Sequence, residues 1–188
     1  MQRISKFILF NLLGWEVPND FPSHIDKYII IAAPHTSNWD FPIAILSKFA
    51  QGKEINFVGK HTLFKPPFGF IFRAMGGTPV NRSASKNMVQ SVIDIFNEKD
   101  KFIFAISPEG TRKKVSKWKT GFYHVAKGAN VPVVMATLDF ENKHILINDP
   151  YYVTGDQKVD FEYFHNYFKD VKGKNPEQFD PNFHLNIE

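Results

Sequence analysis

Short apolar runs alternate with stretches of helical spacing along this chain, and that alternation limits the possible folds more than any other feature. KYIIIAAP (27–34), KEINFVG (53–59), TPVNR (78–82), KFIFAIS (101–107), VPVVMATLDF (131–140) and KHILIND (143–149) each read as a short buried strand. Helical patterns lie between them: about residues 40–51, residues 85–99 with Val89, Val92, Ile93 and Phe96 on one face, and GFYHVAKGAN at 121–130. A last helix over 156–171 turns Phe161, Phe164, Phe168 and Val171 inward. Strand and helix alternation predicts the α/β class: a single layered domain over residues 1–188, its mostly parallel sheet flanked by helices. In such sheets the active site gathers just beyond the carboxyl ends of the strands.

Composition supports a packed core. Of 188 residues, 43% are hydrophobic and 22% charged, which sets the chain apart from disordered sequences. The 20 Phe must line the core or a large apolar pocket. With no Cys, disulfides, zinc–thiolate sites and cysteine nucleophiles are excluded, and a reducing, cytoplasmic location fits. The net charge of +4 suits an anionic partner such as a phosphate ligand or a membrane surface. No nucleic-acid-binding signature accompanies it, so nucleic acid is not an expected partner. No run approaches the roughly 18 apolar residues of a membrane span. Residues 1–15 place Ile4, Phe7, Ile8 and Leu12 at helical spacing near Arg3 and Lys6, which suits either an interfacial helix or a first helix packed on the core.

Three polar loops follow short strands: PHTSNWD after Ile31, NRS after Val80, and SPEGTRKK after Ile106. In the first, Ser37 or Asn38 is the expected N-cap, Asp40 falls in the first helical turn, and Pro42 lies where a missing N–H breaks no helical bond. His35 sits in the preceding turn, close enough for Asp40 to accept a hydrogen bond from its ring. Such a bond fixes the tautomer and leaves the other nitrogen to take a proton from a hydroxyl. A capping Asp beside a loop His is the plain structural alternative. With no G-x-S-x-G elbow and no Cys, a nucleophile would have to come from the substrate. In the third loop, Gly110 lets backbone approach a ligand, and Arg112 offers a fork for bidentate phosphate binding. Behind it RKKVSKWK adds Lys113, Lys114, Lys117 and Lys119.

Together the loops resemble the glycerolipid acyltransferase family that includes 1-acylglycerol-3-phosphate acyltransferases. Its first block, the HX4D motif of His, four residues and Asp, is matched by His35 and Asp40. The second, a Gly-rich strand entry ending in Arg, is matched by GGTPVNR with Arg82 at the arginine. The third is matched by PEGTR, with Glu109, Gly110, Thr111 and Arg112, and the fourth, a Pro-containing apolar strand, by VPVVMATLD around Pro132. The motif-bearing core runs over about residues 28–140. Departures are Thr78 and Val80 where many members carry Phe and Ile, and Met135 where a second Pro is frequent.

The resemblance implies acyl transfer from a thioester to a lysophospholipid hydroxyl, with His35 as general base and Asp40 as its orienter. It further implies that Arg82, Glu109, Gly110, Thr111 and Arg112 hold the acceptor phosphate, Glu109 positioning Arg112 or an acceptor hydroxyl rather than acting as a base. Neither metal nor cofactor is expected beyond the co-substrate, acyl-coenzyme A or acyl carrier protein. The expected place is peripheral, at the inner face of the membrane. HTLFKPPFGFIFRAMGG (61–77) is too apolar for an ordinary loop, and its Phe64, Phe68, Phe72 and Met75 are candidates to line an acyl channel, to touch the bilayer, or simply to fill the core. Two other readings use the same residues: a lipid thioesterase or hydrolase with water as nucleophile, and a non-catalytic phospholipid-binding protein of the membrane surface. Nothing pairs His124 with a carboxylate, so it reads as structural.

Overall fold

A computed structural model of the chain describes residues 1–80 and 85–183, and the side chains of residues 1–79 and 88–183. Arg82 therefore lies outside the described residues. Six strands form one sheet: β1 (Lys27–Ala32), β2 (Ile55–Lys60), β3 (Gly77–Val80), β4 (Phe102–Ile106), β5 (Val133–Asp139) and β6 (His144–Ile147). Their order is β3-β2-β4-β1-β5-β6, and every pairing is parallel except β5 with β6. β1 is flanked on both sides, by β4 and β5, and Tyr28, Ile29, Ile30 and Ile31 are all buried. A strand covered on both faces has no need of a polar side, which is why this segment is continuously apolar.

Helices cover the two faces. They are α1 (Gln2–Lys6), which continues as a wider π turn (Phe7–Leu12), then α2 (Asp40–Ala50), α3 (Gly69–Ala74), α4 (Ser85–Glu98), α5 (Gly121–Ala129) and α6 (Gln157–Phe168). On one face Ile29, Ile31, Val133 and Met135 pack with Val92 and Phe96 of α4, Phe122 of α5, and Phe161, Phe164 and Phe168 of α6. On the other, Tyr28, Ile30, Val134 and Ala136 pack with Leu9 and Trp15 and with Ile43 and Ala50 of α2. Each buried Val, Leu, Ile, Met or Phe side chain among them contributes about 1.5–3 kcal/mol of apolar transfer, and alternate residues of the central strands supply opposite cores because side chains alternate across a strand.

Several boundaries differ from the sequence expectation, most strands by one to two residues at an end. The N-cap of α2 is Trp39, not Ser37 or Asn38, and makes no side-chain capping bond; the hydroxyl of Ser37 instead accepts from the N–H of Trp39 at 3.2 Å. The last helix stops at Phe168, leaving Val171 half-buried beyond it, and β3 begins one residue earlier than expected, at Gly77. In the first segment Ser5 and Leu9 face inward, while Ile4, Phe7 and Leu12 are 61–69% exposed. The segment therefore rests on the core through Leu9, with Phe10 and Leu13 partly buried against it, and leaves Ile4, Phe7 and Leu12 open.

Lys48 ties α2 to the sheet. It is buried, and its ammonium donates to the carbonyls of Ile55 and Met75, each at 2.6 Å. Burial lowers its pKa, partly opposed by Glu54. Replacing it with an apolar chain would leave two carbonyls without this donor. Lys48→Met should lower stability by roughly 2 kcal/mol, read as an earlier urea midpoint with an unchanged slope; an unshifted midpoint would mean the contact contributes nothing net.

Candidate active site

The register of β1 on β4 places Ile31 opposite Ile106, so the loops that follow the two strands adjoin. His35 lies in the first and Glu109 in the second. The Glu109 carboxylate accepts the backbone N–H of His35 at 2.7 Å and the hydroxyl of Ser107 at 3.2 Å. It thus staples the two loops together, turned toward His35; no ion pair joins it to Arg112. Glu109 is 6% exposed, and burial is the main cause that pushes its pKa up, to about 7, against the opposing hydrogen bonds and charge of His35.

Asp40 opens α2 and turns back on the loop before it. Its Oδ2 accepts from three donors: His35 Nδ1–H at 2.9 Å, Thr36 N–H at 2.9 Å and Ser37 N–H at 2.9 Å. The two amides fix the carboxylate, and the carboxylate fixes the ring. With Nδ1 as donor, Nε2 carries the lone pair. The His35 side chain is 31% exposed against 8% for Asp40, so the ring reaches solvent while the carboxylate does not. The second oxygen, Oδ1, is buried without a partner among the described residues.

The third block forms the rim. Gly110 has φ of 65°, a left-handed conformation that disfavours a side chain there. Lys119 folds back over it: a Cβ on Gly110 would stand 2.8 Å from the Lys119 ammonium, and the Lys119 N–H donates to Pro108 O at 2.8 Å. Thr111 is half-buried, while Arg112, Lys113, Lys114 and Lys117 are exposed beside it. A partly open imidazole therefore stands next to a cationic loop, an arrangement suited to deprotonating a hydroxyl on a substrate that also carries phosphate. Among the described residues no three His, Asp or Glu side chains converge to hold a metal ion.

The apolar segment 61–77 divides. Phe64 is buried and Phe72 half-buried, and the two rings lie 6.0 Å apart; Phe72 also meets Phe41 of α2 at 5.8 Å, and Phe41 meets Phe57 at 5.2 Å. Met75 is half-buried, and Phe68 and Phe70 are 64% and 70% exposed. Trp39, next to Asp40, is 60% exposed as well. Sequence reasoning passed over Ser107 and Thr36, although both stood in loops already singled out, because neither occupies a specified position of a motif block.

With this site on the sheet's carboxyl edge, the class follows: the chain belongs to the acyltransferase family, whose model, described as Acyltransferase, matches residues 16–138. It is similar to the 1-acyl-sn-glycerol-3-phosphate acyltransferase of Escherichia coli, 27% identical over 145 residues, covering 73% of this chain and 58% of that protein. It is likewise similar to that of Haemophilus influenzae, 26% identical over 149 residues, covering 74% and 60%. The chain thus spans less than two thirds of the length of these relatives. Its fold is similar to the crystal structure of the 1-acyl-sn-glycerophosphate (LPA) acyltransferase PlsC from Thermotoga maritima, with a TM-score of 0.58 and 19% identity over 88% of this chain and 75% of that one.

Because Glu109 binds its proton more tightly when folded than the ordinary carboxyl value of 4.5, its contribution is unfavourable once it must ionise. Stability from this group is fully present below about pH 4.5 and is lost as pH rises toward about 7. Glu109→Gln keeps both hydrogen-bond acceptances without that loss. The difference in unfolding free energy, variant minus wild type, should grow by roughly 3 kcal/mol or less between those values, measured by urea titration across the range; a flat difference would contradict it.

Proposed function

We propose that this chain transfers a fatty acyl group from an acyl thioester to the free hydroxyl of a lysophospholipid, with 1-acylglycerol-3-phosphate as the first acceptor to test. The single observation that carries this reading is the His35–Asp40 bond at 2.9 Å, with Asp40 held by two loop amides and the ring open to solvent. His35 Nε2 takes the hydroxyl proton as the acceptor oxygen attacks the thioester carbonyl. Asp40 stabilises the imidazolium so formed. The tetrahedral oxyanion then collapses, the C–S bond breaks, and the imidazolium returns its proton to the departing thiolate. No acyl-enzyme intermediate and no cofactor enter. Arg112 and the neighbouring lysines supply charge for the acceptor phosphate, a role in which Arg82 is also proposed. The similarity to the acyltransferases of the two bacteria supports the choice of acceptor.

Among the described residues no helix is long and apolar enough to cross a membrane. We assign a peripheral seat on the cytoplasmic face instead. Ile4, Phe7 and Leu12 beside Arg3 and Lys6, together with Trp39, Phe68 and Phe70, are the exposed apolar groups that favour it. Phe64 and Phe72, with Met75, are the proposed lining for the acyl chain.

Incubation with labelled acyl-coenzyme A and lysophosphatidic acid should give labelled diacyl product, and His35→Ala should lower the rate by roughly a hundred- to ten-thousand-fold. Free fatty acid with no acylated lipid would instead identify a hydrolase, and full transfer by His35→Ala would remove His35 as base. In sedimentation with anionic vesicles, Phe68→Ser with Phe70→Ser should weaken partitioning about tenfold; unchanged partitioning would take this segment off the membrane.

A further inference from the structure

Residues 172–183 run against both loops of the site, beyond the segment matched by the family model. The Lys172 carbonyl accepts from Phe140 N–H at 3.0 Å, just past β5. Gly173 then lies flat on the first loop: a Cβ there would stand 2.7 Å from Thr36 Oγ1. Asn175 follows and holds Thr36 twice. Its backbone N–H donates to Thr36 Oγ1 at 3.2 Å, and its side-chain Nδ2 donates to Thr36 O at 2.8 Å. Further along, Phe183 stacks on Trp118 with ring centroids 3.8 Å apart and planes within 8°. Trp118 precedes Lys119 in the cationic loop, so one strap is fastened to both loops of the site.

The carbonyl that Asn175 holds belongs to the same peptide unit as the Ser37 N–H that donates to Asp40 Oδ2. A peptide unit is planar, with its C=O and N–H pointing in opposite directions. Fixing the oxygen therefore fixes the direction of the N–H. Hydrogen bonds run in series from Asn175 Nδ2 to Thr36 O, from Ser37 N–H to Asp40 Oδ2, and from His35 Nδ1–H to the same oxygen. Thr36 is 3% exposed, so water does not readily substitute for the lost donor.

We propose that Asn175 is a positioning residue for the reaction: through the peptide unit of Thr36 and Ser37 it orients Asp40 and so holds His35 in the tautomer with a free Nε2. This rests on the reading of His35 as the base. Asn175→Ala frees the carbonyl, lets the peptide unit rotate, and withdraws one donor from Asp40. Asn175→Asp is nearly isosteric but has no N–H to give, and serves as the second variant should the alanine form not fold.

The ring nitrogens of His35, assigned by loss of the signal in His35→Ala, are followed by proton–nitrogen correlation NMR in wild type and variants. Wild type is expected to show Nδ1 protonated and Nε2 bare in the neutral ring. Asn175→Ala is expected to show mixed tautomers and a shifted titration midpoint. In the transfer assay it should lose about tenfold in kcat with KM for both substrates nearly unchanged. Lys172→Ala, which removes only an exposed ion pair with Glu141, should match wild type in both readouts. A folded Asn175→Ala or Asn175→Asp protein with wild-type ring signals and titration would overturn the proposal, even if its thermal midpoint fell, because the strap would then only stabilise. Should wild type transfer no acyl group to any lysolipid, the proposed activity fails, while the ring signals still decide whether Asn175 positions the His35–Asp40 pair.

Discussion

The site depends on the parallel pairing of β1 with β4. Their register brings Ile31 beside Ile106, and His35, Asp40 and Glu109 all lie on the two loops that follow those positions. The loop after β1 carries the imidazole and its carboxylate; the loop after β4 carries the buried glutamate and the cations. The 2.7 Å bond from His35 N–H to Glu109 converts that adjacency into a fixed geometry. Neighbouring parallel strands necessarily open their loops on the same edge of the sheet, and a buried acceptor on one loop then finds a main-chain donor on the other.

Two buried carboxylates serve this edge in different ways. Asp40 gathers three N–H donors on one oxygen and turns that anion toward a histidine ring. Glu109 receives one backbone amide and one hydroxyl, too little to offset its desolvation, and its pKa rises to about 7. A third carboxylate, Asp160, is also buried, yet Thr154, Tyr151 and Tyr123 surround it with donors that outweigh desolvation, and its pKa is lowered. It ties α6 to Tyr123 of α5 and to residues 151–155, which precede α6, and among the described residues it bonds to none of the site's loops.

Much of this was legible beforehand. The continuous apolar run of β1 announced a strand buried on both faces, and the Phe spacing of α6 announced its inward face. His35 and Asp40 were readable as a pair because five residues across a strand-to-helix turn bring side chains together. Glu109 was readable as part of the site, but its job was not: an acidic residue between Pro108 and Gly110 gives no hint that its carboxylate turns to a main-chain amide 74 positions away. The apolar segment 61–77 was readable as unusual, while its division into the buried Phe64 and the exposed Phe68 and Phe70 depends on which rings face Phe72 and the glycines of β2 and β3.

By itself the sequence determined most of the elements, the sheet class and the pairing of His35 with Asp40 after the first strand, because periodicity, turn residues and short motifs are written in neighbouring positions. Only the tertiary structure decided which strand edges adjoin, how burial divides the work between the carboxylates, and that Asn175 reaches Thr36 across 139 residues. Those outcomes are set by packing and by which donors happen to face a buried oxygen, and chain separation carries no record of either.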